Sequence, residues 1–157
     1  MTAPPTRRSV AIAGHTGDAA TAEAGWNSDD PSTRAAALGA LERLQLLTDD
    51  RLADALADPD PTVRRRAAEL AATHPTVDLV ASLGDPDATV VEMAAWALGE
   101  HESNRPPVVD ALVELATGAA DALVREAAVA ALGAIGDDAA VDAIIAATTD
   151  KPAVRRR

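Results

Sequence analysis

Arginines that follow turns containing aspartate are the residues of this sequence best suited to bind a charged group. The aspartate and arginine occur together in four short segments, from Asp30 to Arg34, from Asp60 to Arg64, from Asp121 to Arg125 and from Asp150 to Arg155. Such a series could bind anions along a groove, or each guanidinium could pair with a turn aspartate and tie neighbouring units together. The turn aspartates available for such pairs are Asp30, Asp60, Asp87 and Asp121. Pairing is favoured, because a guanidinium forms two parallel hydrogen bonds with a carboxylate at partly buried sites. Val91 replaces the arginine after Asp87, so this unit is predicted to lack the contact.

The histidines do not form a metal-binding pattern. His15, His74 and His101 are predicted to lie near helix ends, where an imidazole also interacts favourably with the helix dipole. The chain has no cysteine, which excludes disulfides, thiolate metal ligands and cysteine nucleophiles. Residues 14–17, with the sequence Gly-His-Thr-Gly, lack the lysine and the spacing of a phosphate-binding loop. We therefore predict no catalytic residue, no cofactor and no metal.

The aspartate and arginine phrase is part of a longer repeat. Its origin is the apolar or equivalent residue before the arginine, and the origins are Thr33, Val63, Val90, Val124 and Val154. They are separated by 30, 27, 34 and 30 residues. Periods in this range indicate stacked units of secondary structure. Each unit is predicted to contain two helices, and the second begins at the aspartate, where Asp or Pro supplies the cap or the first turn.

The second helices carry an apolar stripe at helical spacing. The residues four and eight positions after each origin are Ala37, Ala67, Ala94 and Ala128, and Leu41, Ala71, Leu98 and Leu132. This spacing predicts one buried face per helix. Gly99, Gly133 and Gly136 are expected near helix ends, where a left-handed residue can stop the helix.

Shorter stripes precede the second helices and predict the first helix of each unit. They comprise Leu52 and Leu56; Val77, Val80 and Leu83; Val108, Val109, Leu112 and Val113; and Val141, Ile144 and Ile145. Pro75, Pro106 and Pro107 fit at or before the starts of such helices. Trp26 aligns with Leu56 and Leu83 and is predicted to be a core residue.

The repeats predict one domain, a solenoid over residues 1–157. It has an incomplete first unit at 1–18, which consists of a lone second helix, helix pairs at 18–47, 48–74, 75–102 and 105–136, and an incomplete last unit at 137–157. Because a stack needs polar capping units, the chain is expected to be a piece of a longer array or to associate end to end with another molecule.

Composition narrows the classes of partner. The formal net charge of −11 would repel a phosphate backbone, so nucleic-acid binding is not expected. No apolar run reaches the length of a membrane span, and the N-terminus has no signal-peptide pattern. We expect no membrane association and a cytoplasmic location.

Two segments carry a recognisable signature. Residues 124–137 contain Val-Arg, an Ala pair and Ala-Leu-Gly after the turn at Asp121, and residues 95–99 match in part. In these residues the chain resembles the HEAT repeats, and within them the short subclass named after phycobilisome lyases. The resemblance covers nearly the whole chain. It implies an all-α fold, a right-handed superhelix of antiparallel helix pairs whose second helices line the concave face.

Two catalytic groups resemble this chain in their repeats. Deoxyhypusine hydroxylases hold a di-iron centre through His-Glu pairs at the start of second helices, where this chain has Val91-Glu92 and Arg125-Glu126. The glutamates match, but the histidine ligands do not. His101-Glu102 is such a pair, yet it lies past the end of a second helix. Phycobilin lyase subunits hold a tetrapyrrole, a ligand that nothing in this sequence specifies.

If second helices line a groove, the residues two, three and six positions after each origin should face it. Trp96 occupies a position that is small or polar in the other units. We predict that Trp96 and Met93 form an apolar anchor with charged residues around it, as in interface hot spots. The predicted partner-binding residues are Trp96, Met93, Arg65, Arg66, Glu69, Glu92 and Glu126. Alternatively, Trp96 folds back and fills a gap left by small alanines.

The predicted function is therefore that of a non-enzymatic scaffold that binds a peptide or protein partner on its concave face. The alternative is an enzyme subunit, either lyase-like or a degenerate relative of the hydroxylases. No sequence feature identifies the partner.

Overall fold

A computed structural model describes residues 4–102 and 105–148. Within these ranges all regular secondary structure is helical, without a strand. The α-helices are α1 (Arg7–Thr16), α2 (Ala19–Trp26), α3 (Pro31–Arg43), α4 (Asp49–Leu56), α5 (Pro61–Ala71), α6 (Ala88–Glu100), α7 (Pro106–Gly118), α8 (Ala122–Ile135) and α9 (Val141–Thr148). Two short 3-10 helices lie at Ala81–Gly84 and Asp138–Ala140. The predicted all-α class is confirmed. The arginine copy that ends at Arg155 lies outside the described residues.

The chain divides into two compact units, an N-terminal unit at residues 1–77 and a C-terminal unit at residues 78–157. In the N-terminal unit, α3 packs against both α1 and α5, α2 covers α1 and α3, and α4 covers α5. In the C-terminal unit, α6 packs against α8 and the first 3-10 helix, while α7 packs against α8 and α9. Second helices of neighbouring pairs therefore pack directly on each other in both units.

Aspartates begin the second helices, as predicted. Asp30, Asp60, Asp87 and Asp121 are the N-caps of α3, α5, α6 and α8, and each carboxylate accepts a hydrogen bond from a backbone N–H of the first turn. Pro31 and Pro61 follow in the first turn, where a missing N–H costs little. Hydrogen bonds from the side chains of Thr33 and Ser32 lower the pKa of Asp30 to about 2. The caps explain why each second helix begins where it does.

The predicted stripe of the second helices is buried at every described position. Thr33, Val63, Val90 and Val124 are buried, and so are the alanines and leucines four and eight residues later. Most of these side chains are small, so the stripe lets helices approach closely. Gly99 shows this, because a Cβ there would lie 3.0 Å from the Ala131 Cα. Gly99 and Gly133 lie near the ends of α6 and α8, as predicted, but both are still helical and neither has the left-handed conformation that stops a helix. Gly136, with φ 67°, does end α8.

The first element of the pair at 75–102 is shorter than predicted. A 3-10 helix at Ala81–Gly84 takes the place of the helix expected from Val77. The Asp78 carboxylate accepts a hydrogen bond from the N–H of Val80, a local contact that competes with helix formation, so regular structure starts late. Too few residues then remain before the turn at Asp85 for a full α-helix.

Two further predictions about apolar residues were wrong. Trp26, the last residue of α2, is partly exposed and does not belong to the core. Val141 and Ile145 of α9 are 45% and 59% exposed and Ile144 is half-buried, whereas Ala143 of α9 and Ala140 of the preceding 3-10 helix are buried. Both sets have helical spacing, and packing of α9 against α7 selects the alanine face. The size of Val141 and Ile145 was therefore a poor guide to which face of α9 is buried.

Candidate binding site

In three repeats, the arginine that follows the origin binds the turn of its own unit. Its Nη1 donates to two backbone carbonyls, six and five residues earlier, at distances of 2.8–3.2 Å. The pairs are Arg34 with Ser28 and Asp29, Arg64 with Asp58 and Pro59, and Arg125 with Ala119 and Ala120. Turn carbonyls have no helical partner, so the guanidinium satisfies them. This identical contact was not expected from the sequence, although the constant spacing from turn to arginine carried the signal.

Arg34 also links neighbouring helix pairs. Its Nε and Nη2 donate to the two carboxylate oxygens of Asp58 at 2.9 and 2.8 Å, and both side chains are largely buried. The predicted arginine–aspartate link is present, but its acceptor is Asp58 and not Asp60, because the Asp60 carboxylate caps α5. Burial raises the pKa of Asp58, yet the hydrogen bonds from Arg34 and the Asp60 N–H outweigh it, so the pKa lies below its usual value.

A groove of about 390 Å³ lies on the second-helix side of the N-terminal unit. Its floor consists of small residues from α1 and α3: Ala11, Ala35, Ala36 and Gly39. Three arginines also line it, namely Arg7 from α1, Arg43 from α3 and Arg66 from α5. The groove is therefore cationic in a protein whose net charge is −11.

Gly39 is the point at which two of these arginines converge. A Cβ on Gly39 would lie 2.6 Å from Nη2 of Arg66 and 3.5 Å from Nη1 of Arg43. Arg43 Nη1 donates to the Gly39 carbonyl at 2.9 Å, and Arg66 Nη1 lies 2.9 Å from a carboxylate oxygen of Glu69. The missing side chain at position 39 is what leaves space for the Arg66 guanidinium.

Some of the positions on α3 and α5 that were predicted to face a groove line this one. Ala35, Ala36, Gly39 and Arg66 line the groove, Glu69 pairs with Arg66, and Arg65 is exposed outside the lining. Sequence reasoning missed Arg7 and Arg43. Arg43 is four residues after Gly39 and so lies on the same helix face, a signal that a longer stretch of α3 would have supplied.

The remaining predicted residues belong to the C-terminal unit. Trp96 is 44% exposed on α6, and Met93 and Glu92, three and four residues before it, share its helix face and are half-buried. Glu126 is half-buried on α8, which packs against α6. The exposed indole favours the anchor over the alternative in which Trp96 fills a gap in the core. The partner-binding role of Trp96 stays a prediction.

His74 lies between two carboxylates of the N-terminal unit. Its Nδ1 is 2.8 Å from Asp49 and its Nε2 is 3.2 Å from Glu42, and Thr76 donates to the same Asp49. Carboxylates only accept, so this arrangement holds a doubly protonated, positively charged ring. Burial lowers the pKa of His74, but the bonds and charges of Asp49 and Glu42 outweigh it and raise the pKa. Within the described ranges, no group of three or more His, Asp or Glu side chains is arranged to hold a metal ion.

Repeated helix pairs, capped by aspartates and packed through alanine stripes, define a helical-repeat protein. The family model for HEAT repeats matches residues 50–127 and 76–157, and the chain belongs to this family. The narrower phycobilisome-lyase-type subclass stays a prediction. No curated protein matches the sequence. None of the helices in the described part of the chain has the length and apolar character of a membrane-spanning segment.

Proposed function

We propose that this protein is a non-catalytic scaffold that binds a peptide or protein partner through the exposed side of its second helices. The observation that carries the proposal is the exposure of the Trp96 side chain. An indole that remains 44% exposed on a second helix loses water contact only when a partner covers it. Tryptophan is among the residues that contribute most to protein–protein binding, at about 2 kcal/mol or more when truncated at a hot spot.

The start of the second helices in the C-terminal unit supports a non-catalytic role. At the positions where hydroxylases of similar repeat pattern carry histidine ligands, this chain has Val91 and Arg125. Val91 is 5% exposed and belongs to the core. Arg125 donates to the carbonyls of Ala119 and Ala120. Both side chains therefore have structural roles, and neither is an iron ligand.

Selection from a displayed peptide library tests the proposal. Peptides enriched on the wild-type protein are synthesised, and their affinities are measured by calorimetry for the wild type, for Trp96→Ala and for Ile145→Ala. Ile145 is an exposed apolar residue of the same unit, on α9, and serves as the matched control. Trp96→Ala is expected to weaken binding roughly thirtyfold, as a hot-spot residue does. Equal effects of the two substitutions, or no enriched peptide, would contradict the proposal.

A further inference from the structure

We propose that the arginine-lined groove of the N-terminal unit binds an acidic peptide segment through its carboxylates. This inference rests on the proposed function and adds a class of partner. Three different helices each contribute one arginine to the lining of a single cleft: Arg7 from α1, Arg43 from α3 and Arg66 from α5. A partner that contacts all three must span the second helices of consecutive units.

The arrangement of the cations points to an anionic occupant. Arg43 and Arg66 reach the same small volume above Gly39, so two like charges lie close together. Glu69 neutralises Arg66 from one side, whereas Arg43 donates to the uncharged carbonyl of Gly39. A carboxylate placed over Gly39 would receive charge-assisted hydrogen bonds from both guanidiniums and relieve their repulsion.

The floor of the groove suits a peptide chain. Ala11, Ala35, Ala36 and Gly39 leave the backbone surface low, so an extended segment can approach the arginines without displacing large side chains. The volume of about 390 Å³ falls in the range of roughly 300–1,000 Å³ typical of ligand clefts. A cleft of this size holds a few residues of a partner.

The overall charge favours an acidic peptide over a nucleic acid. A protein with a net charge of −11 repels an extended polyanion over its whole length. A short segment with a few glutamates or aspartates meets only the local positive potential of the groove. Because the net charge of the protein is negative, the three arginines also favour binding of such a segment at this groove.

Binding of labelled peptides tests the inference. The probe is a fluorescein-labelled peptide of four consecutive glutamates flanked by Gly-Ser, and its counterpart has glutamine at the same positions. Fluorescence anisotropy is expected to show at least tenfold tighter binding of the glutamate peptide, in line with hydrogen bonds to charged groups. Equal binding of the two peptides would overturn the proposal.

Neighbouring arginines on α1 provide a charge-matched control. Arg7→Gln and Arg8→Gln change the net charge equally, but Arg7 lines the groove while Arg8 is exposed outside it. Arg7→Gln, and likewise Arg43→Gln, should weaken glutamate-peptide binding about tenfold, and Arg8→Gln less than about twofold. Equal losses of affinity for Arg7→Gln and Arg8→Gln would show that binding depends only on net charge, and this result would contradict the proposed site. Thermal melting of each variant checks that it remains folded.

Further outcomes distinguish a failure of the acidic-peptide proposal from a failure of the proposed scaffold function. If an oligothymidylate of similar length binds the groove more tightly than the glutamate peptide, the occupant is nucleic acid and the acidic-peptide proposal falls. If library-selected peptides bind through Trp96 while the glutamate peptide does not bind, the acidic specificity falls and the scaffold function stands. If neither binds, both proposals fall.

Discussion

Gly14 of α1 lies directly against Ala40 of α3, so closely that a Cβ on Gly14 would be 2.7 Å from the Ala40 Cα. The equivalent contact in the C-terminal unit joins Gly99 of α6 and Ala131 of α8. At both places two second helices meet backbone to backbone. Small residues therefore set the distance between adjacent second helices, and this distance in turn places the side chains beside them.

Replacing Gly14 by alanine is expected to lower the free energy of unfolding by about 1–3 kcal/mol, because the new methyl group overpacks a backbone contact. Gly133→Ala is the control. It also replaces a helical glycine, but a Cβ there meets no atom within 4 Å. That variant should gain about 0.5–1 kcal/mol from helix propensity. Urea unfolding followed by circular dichroism measures both, and an unchanged or higher stability of Gly14→Ala would contradict the close contact.

Arg34→Ala is expected to destabilise the N-terminal unit by about 2–4 kcal/mol, since it leaves a largely buried carboxylate without its two-pronged partner. Arg34→Lys keeps the charge but not the two parallel hydrogen bonds to Asp58, and it should lose less stability than Arg34→Ala. Adding Asp58→Asn to Arg34→Ala should recover part of the loss, because the stranded charge is removed. A loss below about 1 kcal/mol, the value of an exposed ion pair, would show that the contact contributes little.

His74 predicts a pH dependence of stability. Its pKa is raised in the folded state, so its stabilising effect is fully present below the unfolded pKa of about 6.5 and is lost as pH rises through the folded-state pKa. The pKa of Asp49 is lowered, by hydrogen bonds from Thr76 and then His74, so its contribution is lost when pH falls through that lowered value. The difference in unfolding free energy between wild type and His74→Gln should therefore be larger near about pH 6 than near about pH 9. Exposed His15, changed to glutamine, is the control, and a difference that grows with pH would contradict the arrangement.

Gly39→Ala separates binding from stability in the groove. The new Cβ would displace only the flexible end of Arg66, whose Nη2 lies 2.6 Å from its position, so the fold should keep its stability or gain up to about 1 kcal/mol. Moving the guanidinium should nevertheless weaken binding of the glutamate peptide several-fold. Anisotropy titration and thermal melting of the same sample check this, and unchanged affinity would indicate that the position of Arg66 is unimportant.

Two substitutions on α6 compare the exposed and buried sides of one helix. Trp96→Ala should cost about 1 kcal/mol or less in stability, because the indole is half-exposed, while reducing affinity for selected peptides. Leu98→Ala removes a side chain that is 1% exposed and should cost about 2–5 kcal/mol. If Trp96→Ala destabilises the protein as much as Leu98→Ala, Trp96 is a structural residue and not an anchor.

The sequence predicted only those residues of the candidate site whose positions follow from the repeat pattern. Offsets within one helix place Ala35, Ala36 and Gly39 on one face, because residues on one helical face are related by a fixed rotation, and these residues and Arg66 line the groove. Arg7 belongs to a helix that precedes the clear copies of the repeat, and its contribution became visible only when α1 was seen beside α3. The acceptor of Arg34 also required the structure, since Asp58 and Asp60 lie only two residues apart and differ in which one caps a helix.

Period, turn chemistry and the buried stripe followed from the sequence alone. They depend on interactions between residues a few positions apart, such as the Asp60 carboxylate with the first turn of α5 or Val63 with Ala67 on one helix face. Tertiary structure decided which of two apolar faces of α9 is buried, why Gly99 is inside a helix, and which arginines meet over Gly39. These outcomes depend on how closely neighbouring helices approach, a distance set by side chains from separate helices acting together.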